Sequence, residues 1–200
     1  MLDRKTNISI YSLAVLPVDY MERLGDPLRQ VCSGKVIDPA CRNVFVTGIR
    51  AYQLVIYLKL VREHYGRGVA NQIGNYQRRL LTEQADNDIP HAIDLIQGAL
   101  ESDAVCVETD CGNIDIPIEM NLAMALLLGV PGSPNYVAHP ELRSAQIDSM
   151  NAEIDWSLSQ CLGRARERME EVFSPLLTCI DSGVRIDSVQ AYLDEKRVAD

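Results

Sequence analysis

The sequence predicts an all-α fold, a single domain of six to eight helices packed around a buried central helix at about residues 44–65, with a long amphipathic helix near 140–173. Three observations predict it. From Ile49 to Tyr65 the apolar side chains point in nearly every direction around a helix axis, with Ile49, Tyr52 and Ile56 on one side and Leu54, Leu58, Val61 and Tyr65 on another. Such a helix needs neighbours on at least two sides. A second stretch, Ile118–Leu128, is apolar almost all round. Finally, Ile147, Met150, Ile154, Leu158, Cys161, Ala165, Met169 and Val172 recur at close to 3.6 residues above a charged opposite face.

Taken in order, residues 1–43 read as an irregular or short-helix segment packed on the bundle. Ile8–Leu16 suits either a short strand or the first turns of a helix, and Val18–Arg23 is helical until Gly25, Asp26 and Pro27 interrupt it. Gly34–Asn43 is a loop, with Asp38 before Pro39 favouring a turn. The central helix ends near Gly66, which reaches the left-handed region without a Cβ penalty. Val69, Ile73, Tyr76 and Leu80 then form the buried row of an amphipathic helix, so the two make a hairpin or a kinked rod.

A third helix runs from about Pro90 to Ser102, burying Ile89, Ile93, Ile96 and Leu100. Alternation at Val105 and Val107 permits a brief strand, with no evident partner. Pro117 opens the second all-round apolar helix, and Gly129 and Pro131 stop it. Its surplus of apolar surface should be buried in the chain or in an oligomer interface. The long helix follows the proline-rich loop 131–140. Ser174 and Pro175 read as the cap and first position of a new short helix that stops at Gly183, and Asp187 as the cap of a last one carrying Val189, Tyr192 and Leu193 inward.

A net charge of −9 with no basic run beyond Arg78 and Arg79 argues against a nucleic-acid binder. Ala51–Val61 and Met120–Val130 are each too short to cross a bilayer, and no secretory pattern precedes them, so a soluble cytoplasmic protein is expected. In that compartment the six cysteines at 32, 41, 106, 111, 161 and 179 should be thiols, Cys161 being a core residue.

Three groups of polar residues are candidate sites. Arg50, Gln53, Tyr57 and His64 lie within about 60° of arc on the central helix, at about 100° per residue. On so apolar a helix they would line a ligand cavity, form a buried hydrogen-bond network, or simply mark its wet side. Asp86, Asp88, His91 and Asp94 could orient a general base or ligate a metal, although acids at a helix start also stabilise its dipole. Glu108, Asp110, Asn113 and Asp115, with Cys106 and Cys111 among them, offer oxygens without the order of an EF-hand and sulfurs without a zinc spacing. A solvated loop accounts for them equally well. Walker A, dinucleotide, nucleophile-elbow and HExxH patterns are all missing, and no cofactor or metal is expected. The reading that follows is a self-associating interaction or regulatory module, with another copy or another protein as partner. The alternative is a small helical ligand-binding protein or enzyme whose pocket the polar arc lines.

Overall fold

Ser9 opens the first helix, its hydroxyl accepting from the backbone amide of Ser12 at 3.1 Å and satisfying a donor that a first turn leaves without a partner. The computed structural model describes residues 9–24, 27–28, 39–83, 88–101, 106–109, 112–115, 118–139, 142, 157–181 and 191–195. Helix α1 spans Ile10–Leu24 and runs straight through Pro17. Of the two readings of Ile8–Leu16 the helical one holds from Ile10, and it is continuous with the helix expected at Val18–Arg23.

The reason lies outside α1. A proline has no amide hydrogen for the carbonyl four residues back, here that of Leu13. The Tyr57 hydroxyl donates to that carbonyl instead, at 2.7 Å. Beside it, Gln77 Nε2 donates to the Ala14 carbonyl at 3.4 Å.

After a 3-10 turn at Pro39–Cys41 comes α2, Arg42–Glu83, broken at Gly66, whose φ of 82° and ψ of 168° belong to glycine alone. The two arms, 42–65 and 67–83, fold back on each other: a Cβ built on Gly74 would lie 3.4 Å from Leu58 Cδ1, sixteen residues earlier in sequence. In an unbroken helix those positions would be about 24 Å apart. The arms form the hairpin. Replacing Gly66 by Ala should therefore destabilise the chain by at least about 1 kcal/mol, read by urea unfolding, even though no side chain crowds the position.

The first arm is the buried axis of the bundle: Val44, Phe45, Ile49, Leu54, Tyr57 and Val61 are each at most 1% exposed. With its flanks included it is long and apolar enough to span a bilayer by length and composition, where the core run Ala51–Val61 alone is not. Yet 78% of that window is buried inside the fold. In the second arm the buried row is Ala70, Ile73, Gln77 and Leu81, one position from the Tyr76 and Leu80 expected. Gln77 turns in to reach α1, and Tyr76 stays 39% exposed with its ring edge-on to that of Tyr11, 6.1 Å away.

Helix α3, Asp88–Glu101, buries Ile89, Ile93 and Ile96 as expected, but leaves Leu100 39% exposed. Residues 106–115 supply both strands of a small antiparallel ribbon. β1, Cys106–Thr109, pairs with β2, Gly112–Asp115, placing Cys106 opposite Asp115 and Thr109 opposite Gly112. The partner that seemed to be missing is the next stretch of chain.

Helix α4, Ile118–Gly129, is covered within the chain, with Leu122, Ala123, Met124, Leu126, Leu127 and Leu128 all buried. Gly48 lets α2 pass close to it, since a Cβ there would meet Leu126 Cδ1 at 2.8 Å. The first half of the long helix expected from residue 140 lies mostly outside the described residues. Its second half is α5, Ser157–Asp181, which buries Leu158, Cys161, Ala165, Met169 and Val172 as the periodicity requires.

No new helix starts at Ser174. α5 continues through Pro175, whose ring sits on the exposed side, while Val172, Phe173, Leu176, Leu177 and Ile180 hold the axis against the core. Next to the carbonyl that Pro175 cannot serve, that of Glu171, the Tyr192 hydroxyl donates to the Val172 carbonyl at 3.1 Å. Tyr192 and the buried Leu193 belong to a last helical turn at 191–195, whereas the proposed cap Asp187 and Val189 lie outside the described residues. Cys161 is buried as expected but disulfide-bonded rather than a thiol; sequence spacing carries no information on which sulfurs meet in space. At the centre, the Phe173 ring meets those of Tyr57 at 5.0 Å and Tyr20 at 5.4 Å, both edge-on, joining α5 to α2 and α1.

Candidate functional site

The polar arc of the central helix is buried at two of its four positions, Gln53 and Tyr57. Tyr57 is fully buried, and burial pushes its phenol far above the ordinary range, with the nearby Tyr65 adding to the shift. It is therefore a permanent O–H donor for Leu13. Gln53 is 1% exposed, and among the described residues its Oε1 has no hydrogen-bond partner. Arg50 and His64 are half-buried, the His64 ring tilted 6.2 Å from that of Tyr65. None of the four lines a cleft described below.

The residues of the acidic cluster take separate partners. His91 Nε2 lies 3.0 Å from the Gly129 carbonyl, which can only accept, so that nitrogen carries a proton and closes the end of α4. Asp94 pairs with Arg78 of α2. Asp88 is exposed in the first turn of α3, where it meets the positive end of the helix dipole, and Asp86 lies outside the described residues. Among the described residues no three His, Cys, Asp or Glu side chains gather as metal ligands. Of the loop candidates, Cys106, Glu108, Asn113 and Asp115 are placed by their backbone on the ribbon, while Asp110 and Cys111 lie outside the described residues.

The cleft with the most chemistry opens on the opposite side of the first arm of α2. It holds about 420 Å³ and is lined there by Tyr52, Val55, Ile56, Leu58, Lys59 and Arg62. Ala70 and Asn71 close it from the second arm, Gln97 and Leu100 from α3, Ile118 from α4 and Arg166 from α5. At about 100° per residue, Lys59 sits roughly opposite the middle of the polar arc. A concave site does adjoin the central helix, on the side that carries the exposed Lys59 and Arg62.

Beneath the cleft lies an ion pair. Glu119, in the first turn of α4, meets Arg166 Nη1 at 3.0 Å, the side chains being 11% and 37% exposed. The Tyr52 hydroxyl donates to the same carboxylate oxygen at 3.4 Å. Tyr52 is raised far above its ordinary pKa by burial first and by the Glu119 charge second, so it too stays protonated. Glu119 and Arg166 were not singled out from the sequence. The available signal was a lone acid on an otherwise apolar helix, which must find a cation or water if it is to remain charged.

The lining is notable for its sign. Lys59, Arg62 and Arg166 face the space and, among the described residues, no acid lines it, in a chain whose net charge is −9. Between these cations are apolar walls, and Leu100 and Ile118 remain 39% and 43% exposed at this cleft. Compared with known protein families, curated proteins and solved structures, the chain matches none.

Proposed function

We propose that this chain is a helical binding protein whose ligand is an apolar molecule with an anionic head, held in the cleft between α2, α3, α4 and α5. The observation that carries this reading is the local reversal of charge: three cations, one of them paired with Glu119 beneath, and no acid among the described residues that line an apolar space, on an acidic protein. A volume of about 420 Å³ suits a small ligand. Exposed Leu100 and Ile118 supply apolar surface that an occupant would cover.

Self-association was motivated by apolar helix that one small bundle could not cover. The chain buries α4 itself, so that motive is gone and the ligand reading is preferred.

The test is calorimetric titration with decanoate, using decanol as its uncharged counterpart. Decanoate should bind saturably with a Kd on the order of 1 mM or below, and decanol more weakly. Charge reversal at the exposed Lys59 and Arg62 (K59E/R62E) should weaken decanoate binding by about tenfold or more at low salt, with the fold intact by circular dichroism. Equal binding of acid and alcohol, or no response to the double variant, would overturn the reading.

A further inference from the structure

A second space, of about 330 Å³, adjoins the first along a shared wall of Leu58, Ala70, Asn71 and Gln97. Its chemistry differs. Four of its nine described lining residues are primary amides, Asn71, Asn75, Gln77 and Gln97, and the one charged group among those nine, Arg78, is already engaged by Asp94 and Gln97. An acyl chain has nothing to offer such a lining. A carboxamide side chain carries a donor and an acceptor together, which is the pairing that a peptide backbone presents at every residue.

Gln77 contributes to this wall by its stem. It is fully buried, its nitrogen donates to the Ala14 carbonyl and its Oε1 is closed off from the space, so the amides within reach of an occupant are those of the exposed Asn71 and Asn75 and the half-buried Gln97.

We infer that the occupant is the carboxyl end of an extended peptide whose last side chain is apolar. This rests on the anion-binding reading above and deepens it. The terminal carboxylate meets Lys59, Arg62 and Arg166, the last side chain fills the apolar part of the first space, and the preceding amides cross to Asn71 and Asn75 in the second. About four residues suffice, since an extended chain advances about 3.3 Å per residue.

The experiment compares three probes on the same protein: acetyl-Gly-Gly-Ala-Leu with a free carboxylate, the same peptide as its C-terminal amide, and decanoate. The acid peptide should bind about tenfold more tightly than decanoate, and the amide about tenfold more weakly than the acid. The variant Asn75→Ala changes an exposed position that lines only the second of these two spaces, and Ala favours the helix there. It should weaken the acid peptide about fivefold, roughly the loss of one hydrogen bond, and leave decanoate unaltered. If decanoate binds but the acid peptide binds no better, or is indifferent to Asn75, the peptide inference is overturned and the anion reading stands. If neither probe binds, both fall.

Discussion

Replacing Tyr57 by Phe is expected to destabilise the protein by about 1–3 kcal/mol, although it removes a single oxygen atom. The whole effect is assigned to the Leu13 carbonyl, which Pro17 cannot serve and which the Tyr57 hydroxyl reaches at 2.7 Å in a place closed to water. The control is therefore Pro17→Ala. It returns an amide hydrogen to α1, so that Leu13 bonds within its own helix and no longer depends on Tyr57. In that background Tyr57→Phe should cost under about 1 kcal/mol, because no buried acceptor is left bare. A double-mutant cycle by urea unfolding measures the coupling directly, and packing changes peculiar to either substitution cancel in it. Equal costs in the two backgrounds would show that Tyr57 acts by shape alone.

The same hydroxyl gives a pH signature. Tyr57 and Tyr52 both titrate higher in the folded chain than the ordinary value of 10.0, through burial, with Glu119 contributing at Tyr52. Between the unfolded and folded values the unfolded chain has lost protons that the folded chain keeps, so stability falls as pH rises. Their contribution is complete below about pH 10 and erodes above it, by up to about 1.4 kcal/mol per pH unit for each tyrosine. Tyr57→Phe should leave the alkaline limb of the stability curve shallower by one proton.

These residues show where the sequence was legible. Burial of the first arm of α2 could be read directly, because apolar side chains all round a helix have one physical meaning wherever the helix lies. The turn at Gly66 was legible for a similar local reason. Continuity of α1 was not, since Pro17 is a local signal to stop and its remedy, Tyr57, stands 44 residues away from the carbonyl it serves. The polar arc left a cavity, a buried hydrogen bond and a wet side open as readings, and what packs there decides residue by residue: α1 receives the hydrogen bond at Tyr57, while Arg50 and His64 stay half-buried. Pro175 repeats the lesson, for the five buried apolar residues around it outweigh one missing amide.

The cleft was illegible for another reason. It exists where four helices fail to meet, and a gap has no residue pattern of its own. Lys59 and Arg62 are exposed, as charges on a helix ordinarily are, but the face they stand on is concave and shared with Arg166. Leu100 fitted an apolar row and Ile118 an all-round apolar helix, and the structure leaves each more than a third exposed at the cleft.

Removing Arg166 is the second large change to expect. Arg166→Ala leaves the Glu119 carboxylate, 11% exposed, without its cation. Breaking a fully buried pair is destabilising by about 3–5 kcal/mol. Arg166 itself is 37% exposed and water already shares its charge, so about 1–3 kcal/mol is the expected loss here. Replacing both partners by apolar groups, Glu119→Leu with Arg166→Met, should recover most of it, because no buried charge then remains. Stability and binding separate in Glu119→Gln. That variant keeps the shape and releases Arg166 from its internal carboxylate, so an external anion meets a stronger field. Decanoate should bind this variant several-fold more tightly than the parent, while Arg166→Ala should bind it less tightly than either. If Glu119→Gln instead weakens decanoate, Glu119 is needed to aim Arg166, and the guanidinium acts by its direction more than by its net charge.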